Sequence, residues 1–265
     1  SAHHDAQALP AVRGLRREPT NICQGLVVLV AGGFVAGPTG AGGFIGGHLV
    51  SDLLRQGYTS IVSVDRSPLN QWYQCFPNVD NRVLDLQLLG DCRNAVQGCD
   101  VVYNLAADMG GIGYISANHA TLTRNNLLID SHMLEASRTA DVGRFLYTSS
   151  ACVYPAYLQD SADVTDLKES DAMPADPEKG YGWEKLMTEQ LATYYMEDYG
   201  LDIRLVRFHN IYGPLGTYDG GQEKAPAAIC RKVALAEDGG EIEIWGDGNQ
   251  TRSFMFVGDC VEGVH

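Results

Sequence analysis

Ser149-Ser150-Ala151-Cys152-Val153-Tyr154-Pro155 and, about one helix later, Tyr181-Gly182-Trp183-Glu184-Lys185 carry a hydroxyl, a thiol, a phenol and an ammonium. Tyr and Lys four apart share a helix face. An ammonium in that position stabilises a phenolate and lowers a phenol from its usual value of about 10. The result is a base that can take the proton of an alcohol while its carbon gives up a hydride. In a chain with 13 tyrosines a Tyr-x-x-x-Lys is weak by itself, and its weight comes from its neighbours. Cys152 read alone is a small residue filling space behind a strand as readily as a proton-transfer group. Lys224 read alone is a solvated surface lysine.

These groups need elements to hold them. Leu26-Val27-Val28-Leu29-Val30 is a buried-strand run. Ala31-Gly32-Gly33-Phe34-Val35-Ala36-Gly37 is echoed ten residues later by Ala41-Gly42-Gly43-Phe44-Ile45-Gly46-Gly47. The second copy lies in a G-x-x-G-x-x-G turn that opens a helix through His48, Leu49, Leu53 and Leu54. Such a turn lets a pyrophosphate reach the backbone N–H groups at the positive end of a helix. Gly40, Gly43, Phe44, Ile45 and Gly46 are therefore read as cofactor-binding. Pro38 sits where the first copy would need a helix, which disfavours that copy. The strand leading into the turn is either Val27 to Val30 with a nine-residue insertion or the weaker Gly33 to Ala36.

Ser60 to Asp65 is the second strand, and its terminal acid lies 19 residues past Gly46. That spacing suits a carboxylate on the adenosine ribose hydroxyls and favours NAD over NADP, with Arg66 working slightly against the preference. Val83 to Leu86 reads as a short third strand, where Asp85 faces an adenine or caps the next helix. Asp100 to Ala107 is a fourth strand running into a loop, with Leu105 and Ala106 close to the cofactor. A helix follows from about 116 to 138. Arg144 to Thr148 is a fifth strand, delivering Ser149 to Cys152 at its carboxyl end, the edge where ligands bind in open α/β sheets. An acidic, proline-bearing loop from Pro155 to Lys179 precedes a helix from Glu184 to Tyr199 and a strand from Ile203 to Phe208. This alternation predicts a doubly wound, parallel Rossmann sheet. Beyond Phe208, a helix around Glu223 to Lys232, a strand from Glu241 to Trp245 and a new helix near His265 read as pieces of a smaller, incomplete substrate lobe. The expected division is a loose leader over 1–24, a cofactor domain over 25–208 and part of a substrate lobe over 209–265.

The bulk properties narrow the function classes. A net charge of −14 argues against a nucleic-acid surface and against an anionic membrane partner, so a phosphorylated ligand needs a local basic pocket. Seven scattered cysteines without a C-x-x-C pair argue against a disulfide framework or a zinc site and for a reducing, cytoplasmic setting. No apolar run approaches the length that spans a bilayer.

In chain order, T-G-A-G-G-F-I-G, the Asp65 position, N-L-A-A, S-S-A-C-V-Y and Y-G-W-E-K resemble the extended short-chain dehydrogenase/reductases that act on nucleotide sugars. Ala107 to Gly111, Ser149 to Pro155 with its cysteine, Phe208 to Pro214, Glu223 to Lys232 and Trp245 to Phe254 are similar to the GDP-mannose 3,5-epimerases among them. The resemblance runs from about Gly40 onward. It implies transient oxidation of GDP-mannose at C4 by bound NAD, with Tyr181 as base beside the cofactor, Lys185 lowering its pKa and holding the nicotinamide ribose, and Ser150 orienting the hydroxyl. It implies that Cys152 and Lys224 remove and return protons at C3 and C5 from opposite faces of the ring, and that the cofactor is regenerated. It places Gly110, Asn210, Glu223, Ala225, Lys232, Gln250 and Arg252 around the substrate, and it implies a homodimer through the helices near 116–138 and 184–199. The family pattern continues past His265, so a chain of this extent is expected to hold NAD but to close poorly on the sugar. The rival enzyme reading is a GDP-4-keto-6-deoxymannose epimerase-reductase, which Asp65 disfavours, or another nucleotide-sugar epimerase or dehydratase. The rival of another class is a non-catalytic NAD-binding protein.

Overall fold

A computed structural model of the chain describes residues 27–31, 41–109, 117–158, 166–220, 223–244 and 252–265. Its centre is a six-stranded parallel sheet in the order β3-β2-β1-β4-β5-β6. The strands are β1 (Val27–Ala31), β2 (Ser60–Asp65), β3 (Asp80–Val83), β4 (Val101–Asn104), β5 (Arg144–Ser150) and β6 (Ile203–Phe208). Val27–Ala31, one of the two possible lead-in strands, is in the sheet, with Ala31 registered between Val64 and Asn104, and Gly33 to Ala36 lies outside the described residues. The third strand is Asp80–Val83 rather than Val83 to Leu86. Leu84 only continues the ladder through its N–H to the Asp65 carbonyl (3.1 Å), and the chain then turns into a helix.

Neighbouring residues on one strand pack to opposite faces, as the pleat requires. Phe145 and Tyr147 enter a core with Met133, Leu134 and Ala192, whereas Leu146 enters a second core with Leu49, Leu53 and Trp72. Burying a side chain of the size of Phe145 or Leu49 contributes about 1.5–3 kcal/mol. The first core is covered by α2 (Leu89–Val96), α3 (His119–Thr139) and α4 (Tyr181–Tyr199), and the second by α1 (Phe44–Arg55).

Residues after Phe208 partly return to this body. Asn210–Tyr212 (β7) and Phe254–Phe256 (β8) form a parallel pair, pinned by Asn210 Nδ2 donating to the Ser253 carbonyl at 3.2 Å. The last helix, α6 (Val257–Val264), buries Val257, Cys260, Val261 and Val264 in the core shared with α1. Between them, α5 (Ala225–Leu235) has Pro226 in its first turn and no buried residue. The strand expected over Glu241 to Trp245 does not form across 241–244, and Trp245 lies outside the described residues. Its alternating pattern offers one apolar face, but Ile244 is 56% exposed and has no strand beside it among the described residues.

Candidate active site

The carboxyl ends of β4 and β5 and the start of α4 form the rear wall of a cavity of about 230 Å³. Ser149 and Ser150 leave β5 opposite Arg207 and Phe208 of β6. Ser149 donates to Glu189 Oε1 (2.5 Å), and Arg207 grips both oxygens of that carboxylate at 2.9 and 2.7 Å. The bidentate pair ties β6 to α4 behind the site. Ser150 Oγ accepts from the Cys152 N–H at 3.2 Å, which starts the single turn carrying the thiol.

Tyr181 is the first residue of α4, so the predicted helix begins three residues earlier than Glu184. Gly182 explains the close seating of the two motifs: a Cβ there would meet the Cys152 carbonyl oxygen at 2.2 Å. Glu178 completes the lock, its N–H donating to that same carbonyl at 3.0 Å. Tyr181 packs with Leu122, Met109 and Cys152, and Lys185 lies with its ammonium 5.7 Å from the Tyr181 ring centre and 4.9 Å from that of Tyr147.

The protonation of these groups differs from the expectation. Tyr181 is pushed up, not down, because burial outweighs the opposing charge of Lys185. Cys152 is pushed up to about 12 by burial and by the adjacent Glu178 carboxylate, with Ser150 and the Lys224 charge acting in the opposite sense. Both are therefore proton-bearing groups at neutral pH. Lys185 is held charged: its burial opposes the charge, and the acidic groups around it, the Asp130 carboxylate foremost, outweigh that burial.

The cofactor edge is built from the turn after β1. Gly42 must lack a Cβ because the Trp72 ring lies 2.5 Å from where one would sit. Gly43 precedes α1, whose first turn has no side-chain cap, and Phe44 and Ile45 line the cavity. Asp65 is fully buried; the Ser67 N–H donates to its Oδ1 at 2.8 Å, while Oδ2 has no hydrogen-bond partner among the described residues. An orphaned carboxylate oxygen suits a ribose hydroxyl, so these residues fit a dinucleotide. Asp85 takes the local role: its Oδ1 accepts from Gln87 N–H (3.1 Å) and its Oδ2 lies 3.9 Å from Arg66. Leu105 lines the cavity, whereas Ala106 turns into the core.

The front wall comes from residues after β6, among them His209, Tyr212, Thr217 and Lys224. His48 donates to the Pro214 carbonyl (2.9 Å), and Tyr73 and Thr217 share a 2.9 Å hydroxyl bond, which join this wall to the α1 side. Glu223 accepts from Arg231 at 2.9 Å and Lys232 donates to the Glu243 carbonyl at 2.5 Å.

Residues 39–265 match the family model described as NAD dependent epimerase/dehydratase family. The chain belongs to that family. It is 49% identical over 226 residues to GDP-mannose 3,5-epimerase 1 of Oryza sativa subsp. japonica and 47% identical to GDP-mannose 3,5-epimerase of Arabidopsis thaliana. Each match covers 85% of this chain, which spans 59% of the length of those curated relatives. Among solved structures it is similar to MoeE5 in complex with UDP-glucose and NAD, with 31% identity, a TM-score of 0.68 and coverage of 90% of this chain and 70% of that one. It is also similar to a DesIV double mutant (dTDP-glucose 4,6-dehydratase) of Streptomyces venezuelae with NAD and DAU bound, with 25% identity and a TM-score of 0.71, covering 90% of this chain and 70% of that one.

On this family framework the cavity gathers Phe44, Ile45, Leu105, Ser150, Tyr181, Lys185 and Lys224, with Cys152 packed against Tyr181. Gly43, Gly46, Asp65, Asp85, Asn210, Glu223, Ala225, Lys232 and Arg252 are not among its lining residues. Gly40, Gly110 and Gln250 lie outside the described residues. The sequence reading placed Ser149 at the ligand-binding edge but missed Thr148, His209, Tyr212 and Thr217 as cavity walls. Thr148 was findable from its place at the end of β5; His209, Tyr212 and Thr217 are set by loop packing that no periodicity encodes.

Proposed function

We propose that the chain carries the catalytic half of a GDP-mannose 3,5-epimerase, inverting C3 and C5 through transient oxidation at C4. One observation carries the reading: Ser150, Tyr181, Lys185 and Lys224 line a single sugar-sized cavity, and Cys152 packs against its Tyr181, so an alcohol-oxidising pair lies beside two further proton-carrying groups. The near-half identity to the plant epimerases supports the substrate.

Gly43, Phe44, Ile45, Gly46 and Asp65 would hold NAD, which when bound supplies hydride removal and return at C4. The chain's own residues do the rest. Ser150 orients the C4 hydroxyl, and Tyr181 takes and later returns its proton. Since Tyr181 is protonated at rest, it must first shed its own proton, and the Lys185 ammonium is the charge that favours the phenolate. A ketone at C4 acidifies the C–H bonds at C3 and C5, and Cys152 and Lys224 pass protons at those carbons. Lys232 and Arg252 supply positive charge for the diphosphate. Self-association as a homodimer is proposed through α3 and α4, supported by exposed Trp183 and Met187 on α4 and an open groove along His119, Leu127, Leu128 and Lys179. A cytoplasmic setting is proposed from the scattered cysteines.

The test is proton NMR of GDP-mannose with the protein and NAD in heavy water. The expected result is loss of the C3 and C5 proton signals with no net NADH, and a loss of exchange of at least about 100-fold in Cys152→Ala. A sample that binds NAD and shows no exchange overturns the reading.

A further inference from the structure

Behind the cavity Lys185 meets two buried carboxyl groups that the proposed chemistry does not use. Asp130 of α3, Glu184 and Lys185 of α4 are each about 1% exposed or less as side chains. One ammonium thus faces two carboxyl groups, at 3.4 Å from Asp130 Oδ2 and 3.6 Å from Glu184 Oε1. If both were ionised, the cluster would bury a net negative charge, which is costly in a dry interior.

The donors show which carboxyl keeps the charge. Asp130 collects three: Asn104 Nδ2 at 2.9 Å, the Tyr147 hydroxyl at 3.2 Å and Lys185 Nζ at 3.4 Å. Glu184 collects one, Asn126 Nδ2 on Oε2 at 3.3 Å, and its Oε1 is buried with no hydrogen-bond donor. A carboxylate so poorly served is better off as an acid, and a proton on Glu184 has the Asp130 carboxylate within reach as acceptor. Burial pushes Glu184 well above the usual carboxylate range in the same sense, with Asp130 reinforcing it. The titratable groups around Lys185 are then Asp130, Glu184, Tyr147 and Tyr181, with Asp108 one step further out beyond Asn125 and Asn126.

We propose that Asp130 and Glu184 share one negative charge and one proton, a positioning pair that sets how much of the Lys185 charge reaches Tyr181. Asp130 anchors the ammonium and cancels part of its field. Glu184, kept neutral, adds no second anion, so Tyr181 retains enough positive influence to ionise. Loss of the Glu184 proton would make the cluster negative and oppose the phenolate.

Infrared spectroscopy of the protein without ligands reads this directly. Wild type at pH 7 should show a protonated-carboxyl C=O band that is lost in Glu184→Gln. Asp130→Asn should lose it as well, because Glu184 must then ionise to partner Lys185. Absence of the band in wild type, or its survival in either variant, overturns the proposal. A variant that does not fold leaves the wild-type band and the other variant to decide.

A second readout rests on the epimerase reading: the pH profile of exchange at the sugar carbons. In the double variant Asp130→Asn/Glu184→Gln the Lys185 charge is uncompensated, and the acid limb should move down by about one pH unit. A purely structural role would lower the rate at every pH without moving the limb, and an unmoved limb overturns the tuning of Tyr181. Failure of the epimerase reading would leave the infrared result standing.

Discussion

The two walls of the cavity are built on opposite principles. The rear wall, from β4, β5 and α4, holds its polar groups at 9% exposure or less for Ser149, Ser150, Tyr181 and Lys185, and bonds to the buried carboxylates of Glu189 and Asp130 fix Ser149 and Lys185. The front wall has Tyr212 at 40% exposure, an exposed Lys224 and a helix α5 with no buried residue. The rear wall is thus part of the folding core, and its chemistry cannot be altered without disturbing stability. The front wall is held by a few surface bonds, so its residues are expected to affect ligand contact far more than folding.

The largest effect should come from breaking the rear bracket. Glu189→Ala leaves the Arg207 guanidinium nearly buried without its carboxylate, and removing one partner of such a pair costs about 3–5 kcal/mol. Urea denaturation should show the midpoint falling accordingly. A loss below about 1 kcal/mol would mean that the rear wall is no more integral than the front. Gly182→Ala comes next. Its Cβ would press on the Cys152 carbonyl, a backbone atom that cannot swing aside, and overpacking of this kind costs about 1–3 kcal/mol. The same change should displace Cys152 from Tyr181, so exchange activity should fall more steeply than stability.

Protonation sharpens the comparison within one pair of residues. Cys152 is raised to about 12 by burial and by Glu178. In the unfolded chain a thiol titrates at about 8.5. A group raised on folding contributes stability that is present below the unfolded value and is lost as pH rises from about 8.5 toward 12. Wild type should therefore lose more stability on alkalinisation than Cys152→Ala, measured by urea midpoints at pH 7 and pH 10. Iodoacetamide should modify exposed Cys75 and Cys230 well before Cys152 at pH 8, and Glu178→Gln should bring the onset of Cys152 modification to lower pH. Equal rates at all three thiols would remove Cys152 from the rear wall.

Much of the fold could be read from the chain because its signals are local. β-branched runs such as Ser60 to Asp65, the glycine turn into α1 and the Tyr-x-x-x-Lys helix each stand on a few neighbouring residues, and their order leaves little choice of sheet. The rear wall inherited that legibility: Ser150, Tyr181 and Lys185 fall at element ends whose registers are fixed. What the chain concealed were distant relations. Nothing in the spacing of Asp130 and Glu184, 54 residues apart, announces that they meet at one ammonium. The upward shifts of Tyr181 and Cys152 were hidden for the same reason, since they depend on burial and on a carboxylate contributed by another segment. The strand expected at Glu241 to Trp245 failed because alternation predicts a face and not a partner to cover it.

The smallest stability effect, and the sharpest test of the contrast, belongs to Lys232. Its ammonium meets the Glu243 carbonyl at the surface of α5, where a substitution normally changes stability by no more than about 0.5 kcal/mol. If the front wall exists for the ligand, Lys232→Ala should leave the urea midpoint almost unchanged. It should raise KM for GDP-mannose at least about tenfold, the value of one charged hydrogen bond to a phosphate, with kcat altered less. The opposite outcome, a destabilised protein with an unchanged KM, would make Lys232 a fastening of α5 to the 237–244 segment and would remove it from the proposed diphosphate contacts.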